Sequence, residues 1–179
     1  MYCCHNNYKN IKIFCIINFI ILISINIFLI ITFLNNSENN KSILVAIAKS
    51  EDNTQIGNAI INFSENQIIE GNALSHEEGQ SQININKDGI YQISYQLEGV
   101  DNGTSTNFNF NSILIVNNNP LNDTLNEGAV LNEEIVNNRY TLTSTVILKL
   151  NEGDILQLGA LSLENITYPS ARIDIEKIN

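Results

Sequence analysis

Cysteine is missing from most of the chain: its three cysteines, Cys3, Cys4 and Cys15, all lie in the first fifteen residues. Everything after them must hold together without an internal disulfide, by packing or by association of copies. Tryptophan is absent and histidine occurs only at His5 and His76. No zinc site of ordinary composition and no nucleophilic relay can be assembled from that inventory, and a tryptophan platform for stacking sugars is excluded. His76, beside Glu77 and Glu78, is expected to be an exposed loop residue. Positive charge is scarce as well. Lys9 and Lys12 precede a long apolar block, and beyond it 19 acidic residues face 7 basic ones. Binding to phosphate backbones depends on Lys and Arg displacing condensed counterions, so nucleic acid is excluded as a partner. Glycine-rich phosphate loops, heptads, basic tracts and a collagen-like Gly-x-y tract are all missing.

The apolar residues, 44% of the chain, fall into one dense block and many short alternating runs. The block, residues 13–34, carries no formal charge and is long enough for a helix to cross a hydrocarbon layer of about 30 Å. It is apolar on every face, which excludes an amphipathic core helix. No small-x-small site follows it, so a cleaved secretory signal is disfavoured. The sequence therefore predicts a transmembrane helix over 13–34. Asn18, Ser24 and Asn26 within it either bond a neighbouring helix or are tolerated polar members of a very apolar one. Lys9, Lys12 and His5 make the basic flank, which places residues 1–12 in the cytoplasm and the rest outside. Cys3 and Cys4 are open to acylation, to crosslinking, or to remaining plain thiols. The linker, 35–42, spans at most about 28 Å at full extension, so a head carried on it sits close to the bilayer.

Beyond the linker, over 43–179, the period changes to alternation. Strands are expected at Ser42 to Ala48, Ala59 to Phe63, Gln82 to Asn86, Ile90 to Leu97, Phe108 to Asn118, Tyr140 to Leu150, Ile155 to Leu163 and Ala171 to Ile178. Tyr91, Ile93, Tyr95 and Leu97 share one face of their strand. Lys87-Asp88-Gly89, Asn117-Asn118-Asn119-Pro120 and Asn151-Glu152-Gly153-Asp154 are turn chemistries, with Gly89 and Gly153 suited to positive φ and Asp88 and Asp154 to bonding local backbone. About eight short strands without helical period predict an all-β antiparallel sandwich or barrel and exclude a parallel α/β fold.

Three segments narrow that class. Asn86-Lys87-Asp88-Gly89-Ile90-Tyr91-Gln92-Ile93-Ser94-Tyr95 resembles the turn-Gly-x-Tyr-x-Phe strand of the jelly-roll superfamily shared by tumour necrosis factor and the complement globular heads. Leu150-Asn151-Glu152-Gly153-Asp154-Ile155-Leu156-Gln157-Leu158 resembles its Leu-x-x-Gly-Asp hairpin, and Ala171 to Glu176 its last strand. The resemblance covers residues 43–178 and departs from the pattern at Ile93, where the family carries an aromatic. In character it is closest to heads of bacterial spore-surface and cell-surface proteins. It implies an antiparallel jelly-roll sandwich that forms a homotrimer and binds a protein or glycan ligand. Tyr91, Tyr95, Tyr140 and Tyr168 are then candidates for the trimer interface, the competing place for them being the sandwich core.

Chemistry is thinly represented. Asp101, Asp123, Glu127 and Asp154 fall in expected loops and are candidate calcium ligands, although no Asp-x-Asp-x-Asp-Gly loop occurs. No other cofactor is indicated. A carboxylate-based glycan hydrolase is an alternative function, as is a surface-coat building block without a soluble ligand. Asn-x-Ser/Thr triplets at Asn35, Asn40, Asn62, Asn102, Asn122 and Asn165 carry little weight in a chain so rich in Asn. The reading favoured is a membrane-anchored binding or structural module, not an enzyme.

Overall fold

The computed structural model describes residues 18–30, 41–49, 57–101, 107–131, 139–162 and 166–179, with backbone alone at 101, 107–108 and 129–131. The chain divides into two units, Met1–Asn39 and Asn40–Asn179. In the first, residues 18–30 form a helix, α1, whose side chains are all exposed. Its polar side chains turn onto its own backbone: Ser24 Oγ donates to the Ile20 carbonyl at 2.8 Å and Asn26 Nδ2 to that of Leu22 at 2.7 Å. Such i−4 bonds satisfy the hydroxyl and amide donors without a second helix. Among the described residues no helix is long and apolar enough to cross a membrane. The expected cytoplasmic stub, with Cys3 and Cys4, both ends of the 13–34 block, linker residues 35–40, and the triplets at Asn35, Asn40, Asn102 and Asn165 lie outside the described residues.

The second unit is built of strands β1 (Ser42–Ala48), β2 (Ala59–Ile60), β3 (Glu65–Glu70), β4 (Leu74–His76), β5 (Ile83–Ile85), β6 (Gly89–Asp101), β7 (Asn107–Val116), β8 (Asn119–Pro120), β9 (Asn126–Leu131), β10 (Arg139–Leu150), β11 (Ile155–Leu161) and β12 (Ile166–Lys177), with a 3-10 turn at Asn122–Thr124. The pairings between strands are antiparallel. One sheet has five strands in the order β10-β6-β12-β1-β3. The other runs β4-β5-β11-β7-β8, with β2 also on β11 and β9 also on β7.

Period-two alternation explains why these segments form a two-layer sandwich. Tyr91, Ile93, Tyr95 and Leu97 of β6 all point inward and are buried, meeting Leu156, Leu158 and Ala160 of β11 and Phe110 and Leu114 of β7 in one apolar cluster. Each leucine, isoleucine or phenylalanine among them contributes about 1.5–3 kcal/mol by leaving water. The tyrosines in that core keep their hydroxyls satisfied: Tyr91 donates to the Lys87 carbonyl at 2.6 Å, Tyr168 to that of Gly57 at 2.8 Å.

Two expected turns differ from their sequence reading. Lys87-Asp88-Gly89 and Asn151-Glu152-Gly153-Asp154 are corners where the chain passes from one sheet to the other, β5 to β6 and β10 to β11, so the Leu150 to Leu158 segment is not a hairpin. The corners lie side by side. Asp88 Oδ1 accepts from the Glu152 amide at 2.7 Å, and the Gly153 amide donates to the Ile85 carbonyl at 2.8 Å. Asp88 thus serves a distant strand end, while Asp154 does bond locally, accepting from the Asn151 amide at 2.7 Å. Gly153 has φ +88°; Gly89 has no positive φ and is needed for space instead. The β7–β8 loop is a two-residue turn, Asn117 and Asn118 at φ 52° and 64°, the all-positive geometry that matches strand twist.

His76 is the other correction. It lies in β4 and is 7% exposed, with Nδ1 2.7 Å from Asn66 Oδ1 and Nε2 2.9 Å from the Gln80 carbonyl, its ring edge-on to Phe63. The amide of Asn66 also holds the His76 carbonyl at 3.1 Å, so β3, β4 and the 77–80 turn are tied through one imidazole.

Candidate functional site

β1 is apolar on both faces. Leu44, Ala46 and Ala48 point into the sandwich, while Ile43, Val45 and Ile47 point to the outer face of the five-stranded sheet. Val45 is only 5% exposed although it faces outward. A strand with one wet face alternates apolar and polar residues; a strand apolar on both implies that both are covered.

Cross-strand register orders the outer face into rows. The first runs Ile43 (β1), Glu176 (β12), Gln92 (β6), Ile147 (β10), and the second Ile68 (β3), Val45, Asp174, Ser94, Thr145. In the third, Ile47, Arg172, Gln96 and Thr143 stand side by side. The rows are aliphatic at β1 and polar through the middle; at β3 the second continues in Ile68, while the first and third end in Glu70 and Glu65. The first becomes aliphatic again at β10, where Ile147 is 62% exposed. Between β1 and β6 the face dips into an open depression of about 130 Å³, lined by Ile43, Val45, Gln92, Ser94, Asp174 and Glu176.

The polar middle is partly fixed. The Arg172 guanidinium grips Asp174 with two hydrogen bonds, Nε to Oδ2 at 2.8 Å and Nη2 to Oδ1 at 2.7 Å, and reaches Gln67 Oε1 at 3.0 Å. The bonds to Asp174 push the Arg172 pKa up; burial opposes them and the Asp174 charge adds to them. Gln67 is the extra residue of a bulge in β3, since the register shifts between Val45 and Ala46; a bulge re-aims side chains at a sheet edge. Ser94 and Thr145 hydroxyls meet at 2.9 Å, and Arg139 pairs with Glu98 at 2.9 Å.

The tyrosines expected at an interface separate. Tyr91, Tyr95 and Tyr168 are at most 2% exposed within a single chain, so they occupy the sandwich core and offer no surface to another copy. Tyr140 is half-buried at the start of β10 and packs against that core. Burial pushes Tyr168 up to about 12, against a smaller lowering by a hydrogen bond with Ser162. Tyr91 is raised too, by burial first and the Asp88 charge second.

The four calcium candidates occupy separate elements: Asp101 ends β6, Asp123 sits in the 3-10 turn, Glu127 in β9 and Asp154 in the β10–β11 corner. Asp154 is already engaged by Asn117 Nδ2 at 2.7 Å and the Asn151 amide. Among the described residues no three His, Cys, Asp or Glu side chains gather as a metal site. The outer face itself went unassigned in the sequence reading. Its signal was present in Ile43-Leu44-Val45-Ala46-Ile47-Ala48, an unbroken apolar run where a half-wet strand would alternate.

No family model and no curated protein matches the chain. Solved structures do match it. The globular domain of zebrafish complement 1qA aligns at TM-score 0.56 and 10% identity over 77% of this chain and 98% of that one. Murine APRIL aligns at TM-score 0.54 and 11% identity over 77% and 99%. The fold is a jelly roll like that of these two proteins. The PRD1 vertex protein P5 shares this jelly roll at TM-score 0.53 and 17% identity, over 77% of this chain and 97% of that one. Each of these structures is covered almost end to end, so the β unit is a whole jelly roll, and the identities carry the likeness no further than the fold.

Proposed function

We propose that the chain is a membrane-anchored module whose jelly-roll head faces outward and acts in binding or surface structure as a homotrimer. The observation that carries this reading is the outer face of the five-stranded sheet, where β1 is apolar on its second side and opens onto the depression at Ile43 and Val45. Left in water, Ile43, Ile47, Ile68 and Ile147 each forgo a fraction of the about 1.5–3 kcal/mol that full burial of an isoleucine supplies, the largest at Ile147. Likeness to the APRIL and complement-head folds supports the trimer, and the uncharged block 13–34 supports the anchor. The rest of the surface remains for a protein or glycan ligand; the acidic excess disfavours nucleic acid. The test is the mass of the full chain in detergent by light scattering. Three copies are expected, falling to one in Val45→Asp; a wild type that runs as one copy sinks the trimer.

A second reading, a surface-coat building block with no soluble ligand, draws support from the likeness to a vertex protein. It shares the trimer and differs in having no ligand to find on a glycan or protein panel.

A further inference from the structure

Rings of three close only through head-to-tail contacts, in which each copy presents two different patches. The outer face carries two such patches, and we infer that Ile147 and Lys149 of one copy seat in the Ile43–Val45 depression of the next, with Lys149 against Glu176. The inference rests on the homotrimer proposed above and assigns its contact.

The first patch is a projection. Ile147, 62% exposed, stands out from β10, the edge strand of the sheet, and Lys149 follows on the same face two residues later. The second is the depression, floored by Ile43 and Val45 and rimmed by Glu176. Ile147 and Ile43 stand on one cross-strand row, with Gln92 and Glu176 between them and Glu70 of β3 beyond Ile43. Three strand spacings of about 4.8 Å separate β10 from β1, which an isoleucyl side chain cannot reach across. Ile147 of the same copy therefore does not fill the depression, and the same face carries it as an aliphatic projection for another copy.

Charge selects the same pairing. Beyond the apolar block the chain holds 19 acidic residues to 7 basic, so two copies repel unless a cation meets an anion at the contact. On this face Asp174 is gripped by Arg172 and Glu98 is paired with Arg139. Glu176 has only the Lys41 ammonium, 3.7 Å away. Lys149 faces solvent, and among the described residues no carboxylate pairs with it. Lys149 is thus the unmatched cation; of the two carboxylates beside Ile43, Glu70 on β3 and Glu176 on β12, Glu176 is the one that lines the depression.

The experiment uses the full chain in detergent and follows mass against protein concentration by light scattering. Ile147→Asp, Lys149→Glu and Glu176→Lys should each raise the concentration for half-assembly by on the order of tenfold, with urea midpoints of the dissociated head, measured well below that concentration, unchanged because all three positions are exposed or half-exposed there. Combining Lys149→Glu with Glu176→Lys should restore most of the loss. Single variants that assemble like wild type, or a double variant that fails to recover, overturn this contact while a three-copy wild type leaves the homotrimer standing. A wild type that stays monomeric overturns both.

Discussion

The Tyr95 hydroxyl donates to the Thr124 carbonyl at 2.5 Å, joining β6 of the five-stranded sheet to the 3-10 turn of the other. Thr124 carries the connection onward. Its Oγ1 accepts from the Leu114 amide at 2.9 Å and donates to the Leu121 carbonyl at 2.7 Å. Tyr95→Phe strands a buried carbonyl, and Thr124→Val strands the Leu114 amide. Each should cost about 1–3 kcal/mol in urea unfolding, whereas Thr124→Ser, which keeps the hydroxyl, should cost less than Thr124→Val.

Tyr168 sets an alkaline limit. Its phenol is raised from 10.0 to about 12 in the folded chain, so between those values the unfolded state loses a proton that the folded state keeps. The stability it contributes is complete below pH 10 and is lost as pH rises toward 12. Melting temperature should fall over that window, and the fall should be smaller in Tyr168→Phe. An equal fall in both proteins would remove Tyr168 as the cause.

His76 shows how far the sequence was legible. Each of the eight expected strands has a counterpart, although Ala59 to Phe63 shrinks to Ala59–Ile60 and Ile155 to Leu163 is described to Leu161, because Tyr91-x-Ile93-x-Tyr95-x-Leu97 and its like declare an inward face by alternation alone. β3, Glu-Asn-Gln-Ile-Ile-Glu, was missed: it is an edge strand whose bulge at Gln67 breaks the period. β9 was missed as well, since Asn-Glu-Gly-Ala-Val-Leu begins with turn chemistry. His76 was misplaced because its neighbours Glu77 and Glu78 read as solvated, while the partners that bury it, Asn66, Gln80 and Phe63, come from other elements. The outer face was half legible: the β1 run announces two covered sides, but pairing it with Glu176 and Ile147 requires the register.

Replacing that histidine should be costly. His76→Leu keeps the apolar contact with Phe63 but leaves Asn66 Oδ1 and the Gln80 carbonyl without the ring. A loss of about 1–3 kcal/mol in urea unfolding is expected. An unchanged urea midpoint in His76→Leu would show that the bonds of the imidazole to β3 and the 77–80 turn contribute no stability.

Gly89 and Gly153 begin and turn the two neighbouring corners, and substitutions should separate two physical reasons for glycine. At Gly89 a Cβ would stand 2.5 Å from the Asn179 carbonyl and 2.6 Å from Lys177 Cε. At Gly153 it would meet nothing within 4 Å, but φ is +88°. Gly89→Ala should therefore cost about 1–3 kcal/mol through overpacking, less in a chain shortened by Asn179. Gly153→Ala should cost about 1–2 kcal/mol through backbone strain, unaffected by that shortening and milder as Gly153→Asn, because Asn tolerates the left-handed region. A double-mutant cycle in urea checks both: coupling with Asn179 at Gly89 and additivity at Gly153. Equal coupling at the two positions would contradict the assignment of sterics to one and strain to the other.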